Sequence, residues 1–429
     1  MTAMRARKAA LWLAIAAIPL VAADAAVIGH MTAAEPIVQA RIARLPRAEQ
    51  GPWLAYLARS NALMAADKAA LAAERGTGPF PEAPPAGPSG GGGMPLNNPS
   101  SWYAGPDARH VADTIVSFQT PAGGWGKNVD RSGPLRQRGQ HYVPIEKLPA
   151  NARTDMVDEN WSYVGTIDNN ATTSEMRFLA RVQASLPGID GEPYRAAFLK
   201  GVHYLLSAQF PNGGWPQVYP LQGGYHDALT YNDDAMSDVV TLLEDVGGQR
   251  GDYAFVPGTT AADARSAVAR AIRVILATQV RIDGKRTIWG QQHDALTLAP
   301  AGARNFEPAS LSSYESANLL ILLMRMPDPS PEVRAAVRDG VAWLRDHAIH
   351  DVEWTRGTDG RTLVAKPGAP PIWSRFYDLA TMKPIFGDRD KSIHDAVGEL
   401  SRERRDGYSW FSAGPRKAID RYEKWPWKD

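Results

Sequence analysis

The chain contains no cysteine. Thiol nucleophiles, zinc–thiolate centres and disulfide scaffolds are therefore excluded, and stability must come from burial, for which 429 residues suffice. Net charge is close to zero, with 47 basic residues against 46 acidic ones. No basic run is long enough to follow a phosphate backbone, so nucleic acid is not an expected partner. Also missing are a Gly-x-Ser-x-Gly elbow, a phosphate loop and a dinucleotide fingerprint in a usable setting. One sustained apolar run, Ala9 to Ala23, follows Arg5, Arg7 and Lys8 and closes on Ala23-Asp24-Ala25. That pattern predicts a signal peptide over residues 1–25 rather than a membrane span. The expectation is a secreted or periplasmic monomer with no stable membrane association once the signal is removed.

What is abundant is a repeated turn. Gln209-Phe-Pro-Asn-Gly-Gly-Trp215-Pro-Gln is echoed upstream by Gln119-Thr-Pro-Ala-Gly-Gly-Trp125-Gly-Lys and downstream by Gln279 to Trp289-Gly-Gln. Before each Gln lies an apolar helical pattern: Val111, Ile115, Phe118; Phe198, Val202, Leu205, Leu206; Val268, Ile272, Ile275, Leu276. After each Trp comes a polar loop and a second helical stretch: Glu175 to Val182, Met236 to Val246, Ser316 to Met326. Leu319 to Met324 is apolar throughout and must be buried on all sides, whereas Ala262 to Gln279 carries Arg265, Arg270 and Arg273 and can face solvent. The second helices are thus inner and the first ones outer. An amphipathic stretch, Val333 to His347, follows the third pair. The predicted fold is all-α: an (α/α)3 toroid of three inner–outer helix pairs with an irregular C-terminal region. The toroid should occupy 101–429, preceded by a helical segment at 26–75 and a Pro/Gly-rich linker at 76–100. Ile393 to Arg405 reads as a charged helix.

Loops running from outer to inner helices emerge at one end of such a ring. Asp168, Asp233, Asp234 and Glu315 stand at starts of inner helices, where free N–H groups favour anions. One such carboxylate is a helix cap; several meeting at one mouth are a candidate site. His293, alone in its loop, is read first as a hydrogen-bonded structural residue. The turn tryptophans, recurring in every repeat, are read as packing plugs rather than sugar platforms.

The Gln-x(3)-Gly-Gly-Trp turns resemble those of terpenoid cyclases, but the acidic initiating motif of that class lacks its first Asp in Tyr231-Asn-Asp-Asp234. The wider series decides otherwise: Gly123-Gly-Trp-Gly-Lys-Asn128, Thr166-Ile-Asp-Asn-Asn170, Tyr231-Asn-Asp-Asp-Ala-Met236, Pro300-Ala-Gly-Ala-Arg-Asn-Phe-Glu307, Pro371-Ile-Trp-Ser-Arg-Phe-Tyr377 and Pro384-Ile-Phe-Gly-Asp-Arg389. From about Trp102 onwards this resembles the family 10 polysaccharide lyases, which are pectate lyases. Asn305-Phe306 departs from that pattern, where a small residue and Tyr are expected. The resemblance implies β-elimination of polygalacturonate with Ca2+ held by Asp168, Asp233 and Asp234. It makes Arg304 the base, and Arg375 and Arg389 binders of substrate carboxylates. Lys127, Asn128, Asn169 and His293 become further substrate contacts. An arginine is neutral about one time in 10⁴ near pH 9, so neighbouring cations are expected to lower its pKa. A terpenoid-cyclase-like barrel or a non-catalytic acidic-glycan-binding module remain the alternatives at this point.

Overall fold

The computed structural model describes residues 26–88, 93–144, 165–186 and 188–428. The expected signal peptide at 1–25 lies outside them, as does most of the Gly90–Gly93 run. After helix α1 (Arg47–Arg75) the chain alternates between two shells. Outer α2 (Pro106–Ser117) leads to inner α3 (Thr173–Ser185), and outer α4 (Glu192–Ala208) to inner α5 (Ala235–Gly248). Outer α6 (Gly258–Thr278) leads to inner α7 (Ser313–Leu323), and a further outer helix, α8 (Pro331–Asp346), follows. The inner helices touch in the order α3, α5, α7, and the outer ones in the order α2, α4, α6, α8. This is the expected (α/α)3 toroid. Helix α7 buries Leu319, Leu320, Leu322 and Leu323, and none of its residues is exposed.

Each repeated turn is built alike. The amides of Gln119, Gln209 and Gln279 donate to a carbonyl of their own turn (Gly123, Gly213, Thr287; 2.8–2.9 Å). Each also donates to a carbonyl of the next outer helix (Ala197, Ala267, Ala336; 2.9–3.0 Å). The fully buried indoles of Trp125, Trp215 and Trp289 donate to Ile115, Leu205 and Ile275 at 2.7–2.8 Å. Those carbonyls lie in the last turn of the preceding outer helix, where backbone donors run out; Ile115 O also accepts from Phe118 N and Ile275 O from the Thr278 hydroxyl. A fourth plug exists that the sequence motif does not announce: Trp373 donates to Leu344 at the end of α8, 2.7 Å away.

Short antiparallel pairings stitch the mouth, joining Gly165–Thr166 to Val218–Tyr219, Leu229–Thr230 to Gln292–His293 and Leu311–Ser312 to Phe376–Tyr377. The C-terminal region is less irregular than expected, since Val352–Gly357 and Gly360–Ala365 form a regular hairpin. The charged helix expected over 393–405 is a correction. Ser392–His394 is a strand pairing both Phe386–Gly387 and Val27–His30, and only Arg402–Asp406 is α-helical. Tertiary pairing of Ile393 overrides its local preference. Among the described residues no helix is long and apolar enough to cross a membrane.

Helix α1 packs on the toroid. Trp53 and Tyr56 lie 5.3 and 5.2 Å from Phe210, and the Tyr56 hydroxyl donates to Ala208 O at 3.0 Å. The segment after it bridges Ala86 to Val129, so it is a strap across the first repeat. In the α1 interface Asp67 is 1% exposed, and burial, only partly offset by the Ala122 backbone N–H and the charge of Lys200, pushes its pKa up to about 7. A folded-state pKa above the unfolded value means the native state holds this proton more tightly. Stability is then highest below about pH 4 and falls as pH rises through about 7. Asp67→Asn should therefore stabilise the protein by roughly 2–4 kcal/mol at pH 8 and by little at pH 4, read from urea unfolding. An unchanged midpoint at pH 8 contradicts this.

Candidate active site

The mouth is formed where the loops enter the inner helices. Asn169 (φ 52°), Asp233 (φ 49°) and Asp234 (φ 62°) all sit in left-handed turns there, as does Asn128 (φ 59°) on the first repeated turn. Asn and Asp tolerate that region best among residues with a side chain, so backbone geometry and chemistry select the same residue types. The carboxylates do not serve as caps: none of α3, α5 and α7 has a side-chain capping hydrogen bond at its start.

Their oxygens face one another instead. Buried Asp168 accepts from Lys127 Nζ at 2.8 Å and from Asn232 Nδ2 at 3.4 Å. The same Nδ2 donates to Asp233 Oδ2 at 2.9 Å, so one amide nitrogen spans the two carboxylates. Asn169 donates to Asn128 Oδ1 beside them, 3.3 Å away. Burial would raise the Asp168 carboxyl, but Lys127 outweighs it and holds the group below its ordinary value. Asp233 shifts the other way: burial, then the charge of Asp168, push it up. Asp234 turns from this pair to Asn318, and burial with Asp238 raises it to about 6.

A second half of the mouth is built from arginines. Arg304 donates through Nε and Nη2 to Glu307 at 2.8 and 2.6 Å, leaving Nη1 without a partner among the described residues. Glu307 is 2% exposed and also accepts from the Tyr408 hydroxyl (2.6 Å) and from Gln291 Nε2 (3.3 Å). Burial would raise Glu307, yet Arg304 above all holds it well below the usual carboxylate range. Burial would likewise lower Arg304, but Glu307 holds it well above its ordinary value. Among the protein's own charges, the carboxylate clamped to Arg304 thus outweighs the neighbouring cations. Arg375 donates through Nη2 to Glu315 at 2.5 Å and to Asn232 Oδ1 at 3.1 Å. Arg404, at 4.0 Å from the Phe306 ring, and Arg304, at 4.8 Å, share that ring.

A family model described as pectic acid lyase matches residues 119–419, more than half of the chain. The chain belongs to the pectic acid lyase family. It is similar to a family 10 polysaccharide lyase from Cellvibrio cellulosa, with 32% identity and a TM-score of 0.64. It is equally similar to an aspartate-to-alanine mutant of a family 10 polysaccharide lyase from the same organism in complex with trigalacturonic acid (32%, TM-score 0.65). In both comparisons 78% of this chain and 98% of the other are covered. No curated protein matches. The protein is a polysaccharide lyase, which sets aside the terpenoid-cyclase and non-catalytic readings.

The lyase gathers Lys127, Asn128, Asp168, Asn169, Asp233, Arg304 and Arg375 at one mouth. Arg389 stands behind them: it is held bidentately by exposed Glu403 at 2.8 and 3.0 Å, with its guanidinium 5.3 Å from the Phe306 ring. His293 is buried, accepts from Gly290 N at 3.0 Å and donates to Leu298 O at 2.8 Å, so neither ring nitrogen is left for a sugar. Burial lowers its pKa to about 4. Asn232, Gln217, Gln291 and Glu307 were not foreseen. A signal for two of them existed: Lys127, Gln217, Gln291 and Arg375 all lie two residues after a tryptophan plug.

The geometry separates the two adjacent aspartates just before α5. Asp233→Asn keeps the left-handed turn but removes one of the facing charges, and should lower kcat about 100-fold. Asp234→Asn, at a group bonded to Asn318, should cost less than about threefold. Kinetics on polygalacturonate with the reverse ranking contradicts this placement.

Proposed function

We propose that this lyase cleaves polygalacturonate, an α-1,4-linked galacturonan, by calcium-assisted β-elimination to 4,5-unsaturated oligogalacturonides. The observation that carries the reading is the charge arrangement of the mouth. Asp168 and Asp233 face each other across Asn232, and Arg304 beside them has one guanidinium nitrogen uncommitted. The trigalacturonic acid in the Cellvibrio mutant's structure supports a uronate substrate. A polymer outside the cell also accords with the signal peptide expected at 1–25.

The chemical difficulty is the acidity of C5–H, which lies next to a carboxylate that already carries charge. The donor set here is all oxygen, and Asp233 is raised by burial and by Asp168, as for two like charges short of a counter-charge. Such a set fits a hard cation. Asp168 and Asp233 would hold it; among the described residues no third acidic or imidazole side chain joins them, so water and substrate oxygens would complete its shell. Calcium, when bound, would supply positive charge at the uronate carboxylate and so acidify the C5 proton.

Arg304 takes that proton. Glu307 keeps Nε–H and Nη2–H engaged, so the neutral guanidine carries its lone pair on Nη1. As C5–H breaks, its electrons form the C4=C5 double bond and the C4–O bond breaks, with the leaving oxygen protonated from solvent. Lys127 and Arg375 orient the uronate carboxylates on either side. Glu307 has a cost in this scheme, because it makes the neutral form of Arg304 scarcer. It also has a use, since it fixes which nitrogen faces the substrate.

Ultraviolet absorbance of the unsaturated product tests the reading. Chelator should abolish product formation and added Ca2+ should restore it; full rate in chelator removes the metal assignment. Arg304→Ala should lower kcat about 10³-fold with binding retained, and Arg304→Lys should recover little. Because the Arg304 pKa lies far above the assay range, the rate should climb about tenfold for each step of one in pH while base supply limits it. A rate flat with pH, or an active Arg304→Ala enzyme, contradicts the assignment of the base.

A further inference from the structure

Asn232 touches both halves of the mouth. Its Oδ1 accepts from Gln291 Nε2 at 2.6 Å and from Arg375 Nη2 at 3.1 Å. Its Nδ2 donates to Asp233 Oδ2 at 2.9 Å and to Asp168 Oδ1 at 3.4 Å. The side chain is 5% exposed, and all four of its hydrogen-bonding positions are used. We propose that Asn232 is a positioning residue that sets the carboxylate pair at a fixed distance and angle from the arginine side of the mouth.

The orientation of this amide admits one solution. Reversed, its NH2 would meet the NH2 of Gln291 and a guanidinium, and its carbonyl would meet two carboxylates. A side chain with donor and acceptor on one planar group is therefore required, and its neutrality matters as much. The repeats place Asp168 and Asn232 in matching positions: the backbone N–H of each is bonded to a threonine hydroxyl two residues earlier, Thr166 or Thr230. A carboxylate in both positions would put a third negative charge against Asp168 and Asp233. It would also give Arg375 a further charged partner beside Glu315 and Asp233, drawing the guanidinium toward the cation side. The amide binds both sides without doing either. Through Gln291, which also donates to Glu307 at 3.3 Å, the same contact reaches the carboxylate that clamps Arg304. Displacing Asn232 should then disturb cation binding, Arg375 and the base together, although Asn232 itself touches no reacting atom.

This inference rests on the lyase reading, and two variants separate the outcomes. Asn232→Asp keeps the acceptor for Gln291 and Arg375 but replaces the donor by charge. It should hold KM for polygalacturonate within about threefold and lower kcat about tenfold or more. Titrated calorimetrically with Ca2+ in the absence of substrate, it should bind about tenfold more tightly than the parent. Asn232→Leu, an apolar side chain of similar size, loses both sides and should raise KM as well as lower kcat. A residue that only fills space would not split kcat from KM between the two variants. Asn232→Asp with kcat and Ca2+ affinity both within about twofold of the parent overturns the proposal. So does a folded Asn232→Leu protein with kcat and KM both within about twofold of the parent. If the parent makes no unsaturated product, the lyase reading fails instead, and the calorimetric comparison of parent with Asn232→Asp still decides whether this amide governs the carboxylate pair.

Discussion

An indole N–H bonded to a carbonyl in the last turn of an outer helix is the contact on which the rest of this molecule depends. A helix end that is buried must find donors for its final carbonyls, and Trp125, Trp215, Trp289 and Trp373 each supply one. A buried tryptophan in turn needs an acceptor for its single donor, so the two requirements answer each other. Once the ring is fixed, the chain two residues on has little choice of position. Lys127, Gln217, Gln291 and Arg375 are delivered that way, and all four reach Asp168 or Asn232 with their side chains. A packing rule thus becomes a means of aiming polar side chains.

The mouth concentrates buried charge, which is costly unless every group is matched. Glu307 and Glu315 each face an arginine, and Asp168 faces Lys127. Asp233 is the exception: its side chain is 41% exposed, partial burial and then Asp168 push it up, and Arg375 comes only to 3.9 Å. An imbalance of this sign at one point, among pairs that otherwise cancel, is what a bound cation would relieve. In the mechanism proposed above, the same arrangement would let an arginine serve as base. Glu307 raises its proton affinity but also holds it rigidly, and a positioned weakly populated base can outperform a mobile abundant one.

Much of this was legible from sequence because it follows from periodicity. The toroid came from the repeated Gln-to-Trp turns and from Leu319–Met324, whose uniform apolarity leaves only an inner place. Asp168, Asp233, Asp234 and Glu315 were assigned to the mouth because starts of inner helices share one end, which does not choose between Asp233 and Asp234. Trp373 was missed because the hairpin at 352–365 separates it from helix α8 and hides the repeat spacing. Glu307 was passed over because a charge three residues from an arginine in a loop has no periodic signature. The helix expected at 393–405 failed because strand pairing with Val27–His30, distant in sequence, decides that segment. His293 and Arg389 lie in family-like motifs; Gly290 and Leu298 take both ring nitrogens of the first, while Glu403 takes Nε and Nη2 of the second.

The central claim is that the mouth removes a proton rather than adding water across the glycosidic bond. Digesting polygalacturonate in heavy-oxygen water and weighing the products by mass spectrometry tests this directly. Elimination consumes no water: each cut should yield one fragment lighter by a water molecule, and no newly formed end should carry label from the solvent beyond slow exchange at reducing ends. Heavy oxygen incorporated once per cut, with both fragments saturated, would show hydrolysis and contradict the account.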